Sequence, residues 1–262
     1  MNQIKLSSEK IIESANHSSK GNQPKWFVED IWYKADHMGY EGLAEVVVSR
    51  LLKKTNIDNF IEYYPIRIEF SHYNRSGCFS YNFLKKDEEL IPLERLHRLY
   101  EGIGLSMKLN EFNSAKEKIR YTVDFVKDIT NLKDFGEYLT AMLEIDALFL
   151  NEDRHTNNIA VIRNAKTKEF RLCPYFDQGL SLLSDLEGFW LEGDTNKHIM
   201  RVAAKPFGDF KTQVNAAQEL YGKQLIIDFT EKDIASALSD MKDYYIEEII
   251  NRVSEIINMK LE

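Results

Sequence analysis

The segment NEDRHTNN, residues 151–158, gathers side chains that could carry out chemistry between an apolar run and two strand-like segments. It contains two acids, one histidine and three asparagines. If the two strand-like segments pair antiparallel, the residues before the first and after the second lie at the same end of the pair. The carboxyl groups of Asp153 and Asp177 and the amide of Asn158 would then share one small volume. Oxygen ligands of this kind suit a hard cation such as Mg²⁺, which usually keeps waters and binds phosphates as well.

The order of these parts is also that of a phosphoryl-transfer site. In protein kinases one Asp orients and deprotonates the acceptor hydroxyl, and an Asn and a second Asp in a D-x-G turn hold the metal ions. Taken alone, the segment is more typical of a solvated connection between a helix and a strand. His155 has no second His or Cys at ligand spacing, which favours a structural hydrogen-bonding role. The DFG at 134–136 precedes Asp153 and opens an apolar helix, where Asp134 suits the helix start, so Asp177 is the predicted metal ligand.

The first fifty residues contain the other parts that a kinase site needs. These are a loop over the phosphates, a Lys on the following strand and an acid on the next helix. The chain has them in order: a polar loop containing Gly21, a hairpin at 25–34 that ends with Lys34, and a helix with Glu41 and Glu45. The two acids are one helical turn apart and share a face. The spacing therefore leaves both of them open as the partner of Lys34.

The hydrophobic periodicity of the chain changes near residue 85. Residues 1–84 contain about four strand-like segments and one helix, whereas residues 85–262 have mostly helical spacing. One strand pair, 159–162 with 170–173, interrupts the helices of the second part. The charged run at 85–89 is interpreted as a solvated connection. These patterns predict an α+β fold with a small β-rich N-terminal lobe, 1–84, and a mainly helical C-terminal lobe, 85–262.

The composition predicts a globular protein with reduced cysteines. A chain of 262 residues with 44% apolar side chains can bury a substantial core, and its formal net charge of -8 disfavours general binding to nucleic acid. Cys78 and Cys173 form no CxxC pair, so neither a disulfide framework nor a thiolate zinc site is indicated. The N-terminus lacks the plan of a signal peptide, and no segment has the roughly 20 apolar residues of a membrane span. We expect a soluble, cytoplasmic protein with no direct nucleic-acid binding.

Five motifs together resemble those of the HipA-like serine/threonine kinases. SSKGNQPK, residues 18–25, resembles the S-x-x-G-x-Q-x-K phosphate loop of that family. Four later strings resemble its successive nucleotide and catalytic motifs: WYKAD, AEVVVSRLL, NEDRHTNN and YFDQG. The likeness covers most of residues 18–185. It implies a bilobal protein-kinase-like fold, related also to phosphoinositide kinases, with ATP and Mg²⁺ as cofactors.

The resemblance implies a role for each aligned residue. The residues that would bind the nucleotide are Ser18, Ser19, Gly21, Gln23, Lys25, Lys34, Glu45, Tyr81 and Phe83. The residues that would act on the acceptor or hold the metal ions are Asp153 as the catalytic Asp and Asn158 and Asp177 as metal ligands. Lys34 would contact phosphate with Glu45 as its helix partner, and backbone groups at about 81–83 would meet the adenine.

The implied activity is transfer of the γ-phosphate of ATP to a Ser or Thr hydroxyl of a protein substrate. In the family a phosphate-loop serine can be autophosphorylated, and Ser18, or its neighbour Ser19, would take that position. The family includes toxins of toxin–antitoxin pairs, which implies an antitoxin-type partner. Larger members carry an additional N-terminal domain, so this chain is expected to be a stand-alone kinase core. The loop reads NED where many protein kinases have HRD, and the Arg that docks an activation-loop phosphate is therefore absent.

The residues leave two alternatives to a protein kinase. The acceptor could be a lipid headgroup or a small molecule, as in the related phosphoinositide and aminoglycoside kinases, and the C-terminal helices do not select among acceptors. A regulatory nucleotide-binding module, or pseudokinase, would use the same fold without transfer. The presence of every expected catalytic residue type argues against this second alternative.

Overall fold

The computed structural model describes residues 2–10 and 23–261, and its first sheet has five strands. The strands are β1 (Gln3–Lys5), β2 (Lys25–Val28), β3 (Ile31–Ala35), β4 (Tyr64–Phe70) and β5 (Tyr73–Tyr81). Their order is β1-β4-β5-β3-β2, antiparallel except where β1 runs parallel to β4. The predicted hairpin is β2–β3, and its turn residues Glu29 and Asp30 have φ of 51° and 64°, as tight hairpin turns require.

The helix α1 (Glu41–Leu52) lies directly against β5. The approach is close because both contact points are glycines: a Cβ on Gly42 would lie 2.6 Å from the Cα of Gly77. Nearly every residue of α1 is buried, including the polar Glu45. The helix therefore carries Glu45 into the interior beside β3.

A second sheet of three antiparallel strands follows, in the order β6-β7-β8. The strands are β6 (Glu88–Pro92), β7 (Ala160–Asn164) and β8 (Phe170–Leu172). The predicted strand pair is β7–β8. The prediction that this pair stands alone was wrong, because β6 pairs with β7. The prediction that residues 85–89 form a solvated connection was wrong for Glu88 and Glu89, which belong to β6. Cross-strand ion pairs accommodate the charges of β6, since Glu88 contacts Arg171 and Glu89 contacts Arg163.

The rest of the described chain is mainly helical. Its helices are α2 (Leu93–Glu101), α3 (Leu105–Leu109), α4 (Ala115–Thr130), α5 (Phe135–Phe149), α6 (Thr195–Arg201), α7 (Phe210–Tyr221), α8 (Glu231–Leu238) and α9 (Glu247–Leu261). The helix α5 is buried on almost all sides, which makes it a core helix. The largest buried cluster joins it to α1 and α9 through residues such as Val47, Leu143 and Ile256.

The C-terminal end of α5 leads into the 151–158 loop. Leu150 ends the helix in the left-handed conformation, with φ of 59°, and its N–H donates to the carbonyl of Asp146. The loop therefore starts from a rigid, buried support. Within the described ranges, no helix is both long enough and apolar enough to cross a membrane.

Candidate active site

Three segments that are distant in sequence meet at the ammonium group of Lys34. Its Nζ lies 2.5 Å from Oε1 of Glu45 on α1 and 3.0 Å from Oδ1 of Asp177, which follows β8. The other carboxylate oxygen of Glu45 accepts a hydrogen bond of 2.8 Å from the backbone N–H of Gln178. Glu45 thus joins the strand lysine to the DQG segment, and Lys34 uses two of its three donors on carboxylates.

Glu41, the alternative partner of Lys34, has a different contact in the structure. Its carboxylate accepts hydrogen bonds from the backbone N–H groups of His37, Met38 and Gly39, just before α1 begins. The carboxylate of Glu41 thus satisfies amides of the turn that precedes the helix, and an acid in the first helical turn is also favoured by the helix dipole. The contact with Lys34 therefore belongs to Glu45, one turn further along the helix.

The burial of these charges makes their pKa values depend on one another. Burial alone would lower the pKa of Lys34, but the charges of Asp177 and Glu45 outweigh it and raise that pKa well above its usual value. Burial also opposes the charge of Asp177, yet Lys34 and then Lys25 hold its pKa well below the usual range. Burial raises the pKa of Glu45 despite the attraction of Lys34. Of the two acids that share Lys34, Asp177 is therefore the one that stays ionised more firmly.

The 151–158 loop is held by a buried ion pair that sequence reasoning missed. Nε and Nη2 of Arg154 donate to the two carboxylate oxygens of Asp146 on α5, at 2.8 and 3.0 Å, in a bidentate pair. Nη1 donates to the backbone carbonyls of Asn158 and Phe176, both at 3.0 Å. The guanidinium, which is 1% exposed, therefore ties the loop to the residue before Asp177. The one available signal was an acid, Asp146, near the C-terminal end of an apolar helix.

Two amide side chains complete this scaffold. Asn151 Nδ2 donates to Oδ1 of Asp146, to the carbonyl of Asp177 and to Oε1 of Gln178, and its Oδ1 accepts from the N–H of Asp153. Asp177 itself has φ of 62°, in the left-handed region. The network therefore holds the backbones of the two aspartates in one arrangement, although neither amide stood out in the sequence.

The carboxylate of Asp153 is largely buried, with a side chain that is 10% exposed, and it contacts two basic side chains. Its Oδ1 is 3.0 Å from Nζ of Lys205, and its Oδ2 is 3.5 Å from Nε2 of His155. Nδ2 of Asn158 donates to the backbone carbonyl of Asp153, at 2.9 Å, and Oδ1 of the same amide is the atom that could serve as the predicted metal ligand. Lys205, from the connection between α6 and α7, is a site residue that sequence reasoning missed, because no local pattern relates it to Asp153.

The predicted adenine-binding segment connects the two sheets. Tyr81 ends β5 with an exposed side chain. Phe83 packs against the buried cluster of the second sheet, with its ring centroid 6.2 Å from that of Phe176. The carbonyl of Phe83 accepts from Nη2 of Arg171 at 3.2 Å. One of the two lone pairs of that carbonyl is thereby occupied, and the other can accept a further hydrogen bond.

The phosphate-loop prediction lies mostly outside the described residues, which exclude Ser18, Ser19 and Gly21. Lys25, at the start of β2, is paired in register with Lys34 on β3. Nε2 of Gln23 is buried and has no acceptor among the described residues. An unpaired buried donor at this position is available to a ligand oxygen. The described end of the loop thus has a free donor and a cation next to the Lys34 cluster.

The donor set fits a magnesium ion that shares its coordination with phosphate. Within residues 2–10 and 23–261, no group of three His, Cys, Asp or Glu side chains is placed to hold a metal by itself. The predicted ligands are one carboxylate, Asp177, and one amide oxygen, from Asn158. Mg²⁺ commonly binds one or two protein oxygens of this kind and completes its octahedron with water and substrate phosphates. The DFG at 134–136 is not part of this site: Asp134 occupies the N-cap position of α5, and its side chain makes no capping hydrogen bond.

Comparison with solved structures shows the fold. The crystal structure of CtkA, a proinflammatory kinase of Helicobacter pylori, matches with a TM-score of 0.62 and 15% sequence identity, covering 98% of this chain and 93% of the other. The predicted α+β, bilobal protein-kinase-like fold is thereby confirmed. No protein-family model and no curated protein sequence matches the chain.

Proposed function

We propose that this chain is a Mg²⁺- and ATP-dependent serine/threonine protein kinase of the HipA-like family. The observation that carries the proposal is the position of Lys34, whose ammonium contacts both Glu45 and Asp177. A strand lysine paired with a helix acid, next to the metal-binding Asp, is the arrangement that active protein kinases require. The kinase-like fold supports it, because protein kinases carry this lysine on a strand and its partner acid on a helix.

The residues divide the chemistry between the nucleotide and the acceptor. Lys34 keeps one N–H donor for a phosphate oxygen after its two carboxylate contacts. Asp177 and Asn158 would hold Mg²⁺, which when bound neutralises negative charge on the phosphates. Gln23 Nε2 and Lys25 would add a donor and a charge on the β2 side. Positioning and electrostatic stabilisation of this kind supply most of the rate in phosphoryl transfer.

Asp153 would receive the proton of the acceptor hydroxyl. As that hydroxyl oxygen bonds to the γ-phosphorus, the bond from phosphorus to the β,γ-bridging oxygen breaks, and ADP leaves with the electron pair. The carboxylate must point at the hydroxyl without rearranging, and its backbone is held by the side chains of Asn151 and Asn158. The Arg154–Asp146 pair anchors that loop to α5. The loop is therefore preorganised before any ligand binds.

The test compares the wild type with Asp153→Asn after incubation with Mg-ATP. Mass spectrometry is expected to find phosphate on the wild-type chain or on an added Ser/Thr protein. Transfer by the variant should fall by about 10² to 10⁴, the usual contribution of general-base catalysis. Calorimetry should show ATP binding largely unchanged, because Asp153 does not belong to the Lys34 cluster.

Asp124→Asn, on the exposed face of α4, is the matched control and should transfer phosphate normally. Phosphate on Ser18 or Ser19 would identify self-modification of the phosphate loop. Wild-type-like turnover by Asp153→Asn would refute the role of that residue. Binding of Mg-ATP by the wild type without phosphate on any protein would instead indicate another acceptor or a regulatory nucleotide-binding module.

A further inference from the structure

Lys205 makes an ion pair with the predicted catalytic aspartate, although it comes from a different part of the chain. Its Nζ lies 3.0 Å from Oδ1 of Asp153, and its side chain is 35% exposed. The residue belongs to the connection between α6 and α7. The buried ring of Phe207 and a 3.3 Å hydrogen bond from the N–H of Phe207 to Oε1 of Gln213 anchor that connection. Lys205 is thus held next to Asp153 by packing two residues away.

The loop that contains Asp153 has no free cation of its own. Arg154 already directs four hydrogen bonds to Asp146 and to two backbone carbonyls, and its side chain is 1% exposed. It therefore has no route to a phosphoryl group. In the part of the chain that the structure describes, Lys205 is the one Lys or Arg in ion-pair contact with Asp153.

Phosphoryl transfer needs a positive charge at this position. A carboxylate that takes the acceptor's proton lies close to the oxygens of the transferring group, and the like charges repel one another. An ammonium group can reduce this repulsion, since it has three donors and only one is occupied by Asp153. The partial exposure of Lys205 leaves the other two donors accessible. Its contact uses Oδ1. Oδ2 of Asp153 lies 3.5 Å from Nε2 of His155, which is longer than a normal hydrogen bond, so Oδ2 can still accept from the hydroxyl.

We propose that Lys205 is a catalytic cation that binds the transferring phosphoryl group while it keeps its contact with Asp153. This inference rests on the proposed function and adds to it a residue from the α6–α7 connection. Packing of Phe207 in the core would then support catalysis, because it holds Lys205 next to Asp153. The alternative role for the same contact is inhibitory: Lys205 would occupy the carboxylate of Asp153 and slow the reaction.

The experiment compares Lys205→Met and Lys205→Arg with the wild type. Lys205→Met should lower kcat by about 10² to 10³, as expected for loss of one preorganised donor in the transition state, with little change in the KM for ATP. Lys205→Arg should recover part of the loss, since it keeps the charge. Lys197→Met, which removes an 81% exposed lysine from neighbouring α6, is the matched control and should behave as wild type.

A second readout needs no turnover. Mg-ADP with fluoroaluminate mimics the transferring phosphoryl group, so the wild type should bind this complex more tightly than Mg-ADP alone. Lys205→Met should lose most of that gain while its affinity for Mg-ADP stays the same. Its unfolding midpoint in urea should match that of the wild type, which would separate this effect from misfolding.

The outcomes separate this inference from the function on which it rests. If Lys205→Met were faster than the wild type, the contact would be inhibitory and the proposal would be overturned. If the wild type transfers phosphate and Lys205→Met has the same kcat, the proposal would also be overturned. An equal loss of affinity for Mg-ADP alone would also overturn it, because Lys205 would then bind the ground state. A wild type that binds no nucleotide would refute the proposed function itself, and this inference with it.

Discussion

Two clusters of charged side chains meet at the 151–158 loop and the DQG turn, and they differ in how far their lysines are exposed to water. The members of the buried cluster are Lys34, Glu45 and Asp177, and those of the open cluster are Asp153, His155 and Lys205. The side chain of Lys34 is 10% exposed and that of Lys205 is 35% exposed, whereas the two aspartates differ the other way, with Asp177 23% and Asp153 10% exposed. Each cluster places a lysine against at least one acid, so the difference lies in the surroundings of the lysine rather than in residue type.

The difference shows how one site can be both rigid and able to react. Charges that are removed from water must be paired, and loss of one partner leaves the other at high cost. The buried cluster is therefore expected to keep one geometry, as a nucleotide and metal site needs. A partly exposed lysine such as Lys205 can exchange a contact for water or for a ligand at little cost. The open cluster can thus change partners when an acceptor arrives.

The largest expected effect comes from removing the cation of the buried cluster. Lys34→Met leaves Glu45 and Asp177 facing each other without a counter-charge, and should lower the free energy of unfolding by about 3–5 kcal/mol. Lys205→Met is the matched variant in the open cluster and should lose less than about 1 kcal/mol. Urea unfolding monitored by circular dichroism measures both. Equal losses in the two variants would contradict the comparison.

The second prediction concerns Asp177, the acid of the buried cluster that is predicted to bind the metal. Asp177→Asn should reduce phosphate transfer by about a hundredfold to a thousandfold, because loss of a metal ligand removes several kcal/mol of charge stabilisation. The dependence of nucleotide affinity on Mg²⁺, measured calorimetrically with and without EDTA, should disappear as well. The control is Asp134→Asn in the DFG at 134–136, which should keep wild-type transfer. If Asp134→Asn lost as much transfer as Asp177→Asn, the assignment of the metal to the DQG at Asp177 would be wrong.

The smallest effect is expected from an ion pair at the junction of the two sheets. Nε and Nη2 of Arg171 donate to Glu88, and these hydrogen bonds lower the pKa of that carboxyl to about 2. A carboxyl with a depressed folded-state pKa stabilises the protein above its unfolded value of about 4.3, and this contribution is lost as the pH falls towards 2. Glu88→Gln should therefore cost about 1 kcal/mol at pH 6.

The difference between wild type and Glu88→Gln should shrink at pH 3, and urea unfolding at the two pH values measures it. Glu89→Gln, on the same strand with a 39% exposed side chain, is the control and should change stability less. If the cost of Glu88→Gln were the same at both pH values, the ion pair would not be its cause.

Much of this arrangement could be predicted because it depends on local pattern and on the order of motifs. The hairpin β2–β3 follows from two β-prone segments around a two-residue turn, and α5 from a long apolar run with helical spacing. The order of Lys34, Asp153, Asn158 and Asp177 indicated a kinase site, and the fold comparison supports the kinase-like architecture. β6 was missed because two of the five residues of EELIP are acids, whose counter-charges are arginines on β7 and β8 that lie far away in sequence.

The sequence by itself determined which residue types could do the chemistry, in what order they occur and on which elements they lie. It left Glu41 and Glu45 equivalent, since one helical turn separates them and periodicity treats both alike. Only the tertiary structure decided between them, because the close contact of Gly42 with Gly77 sets how deeply α1 is seated. The tertiary structure alone also brought Lys205 to Asp153, since an ion pair between such distant segments depends on how the intervening elements pack.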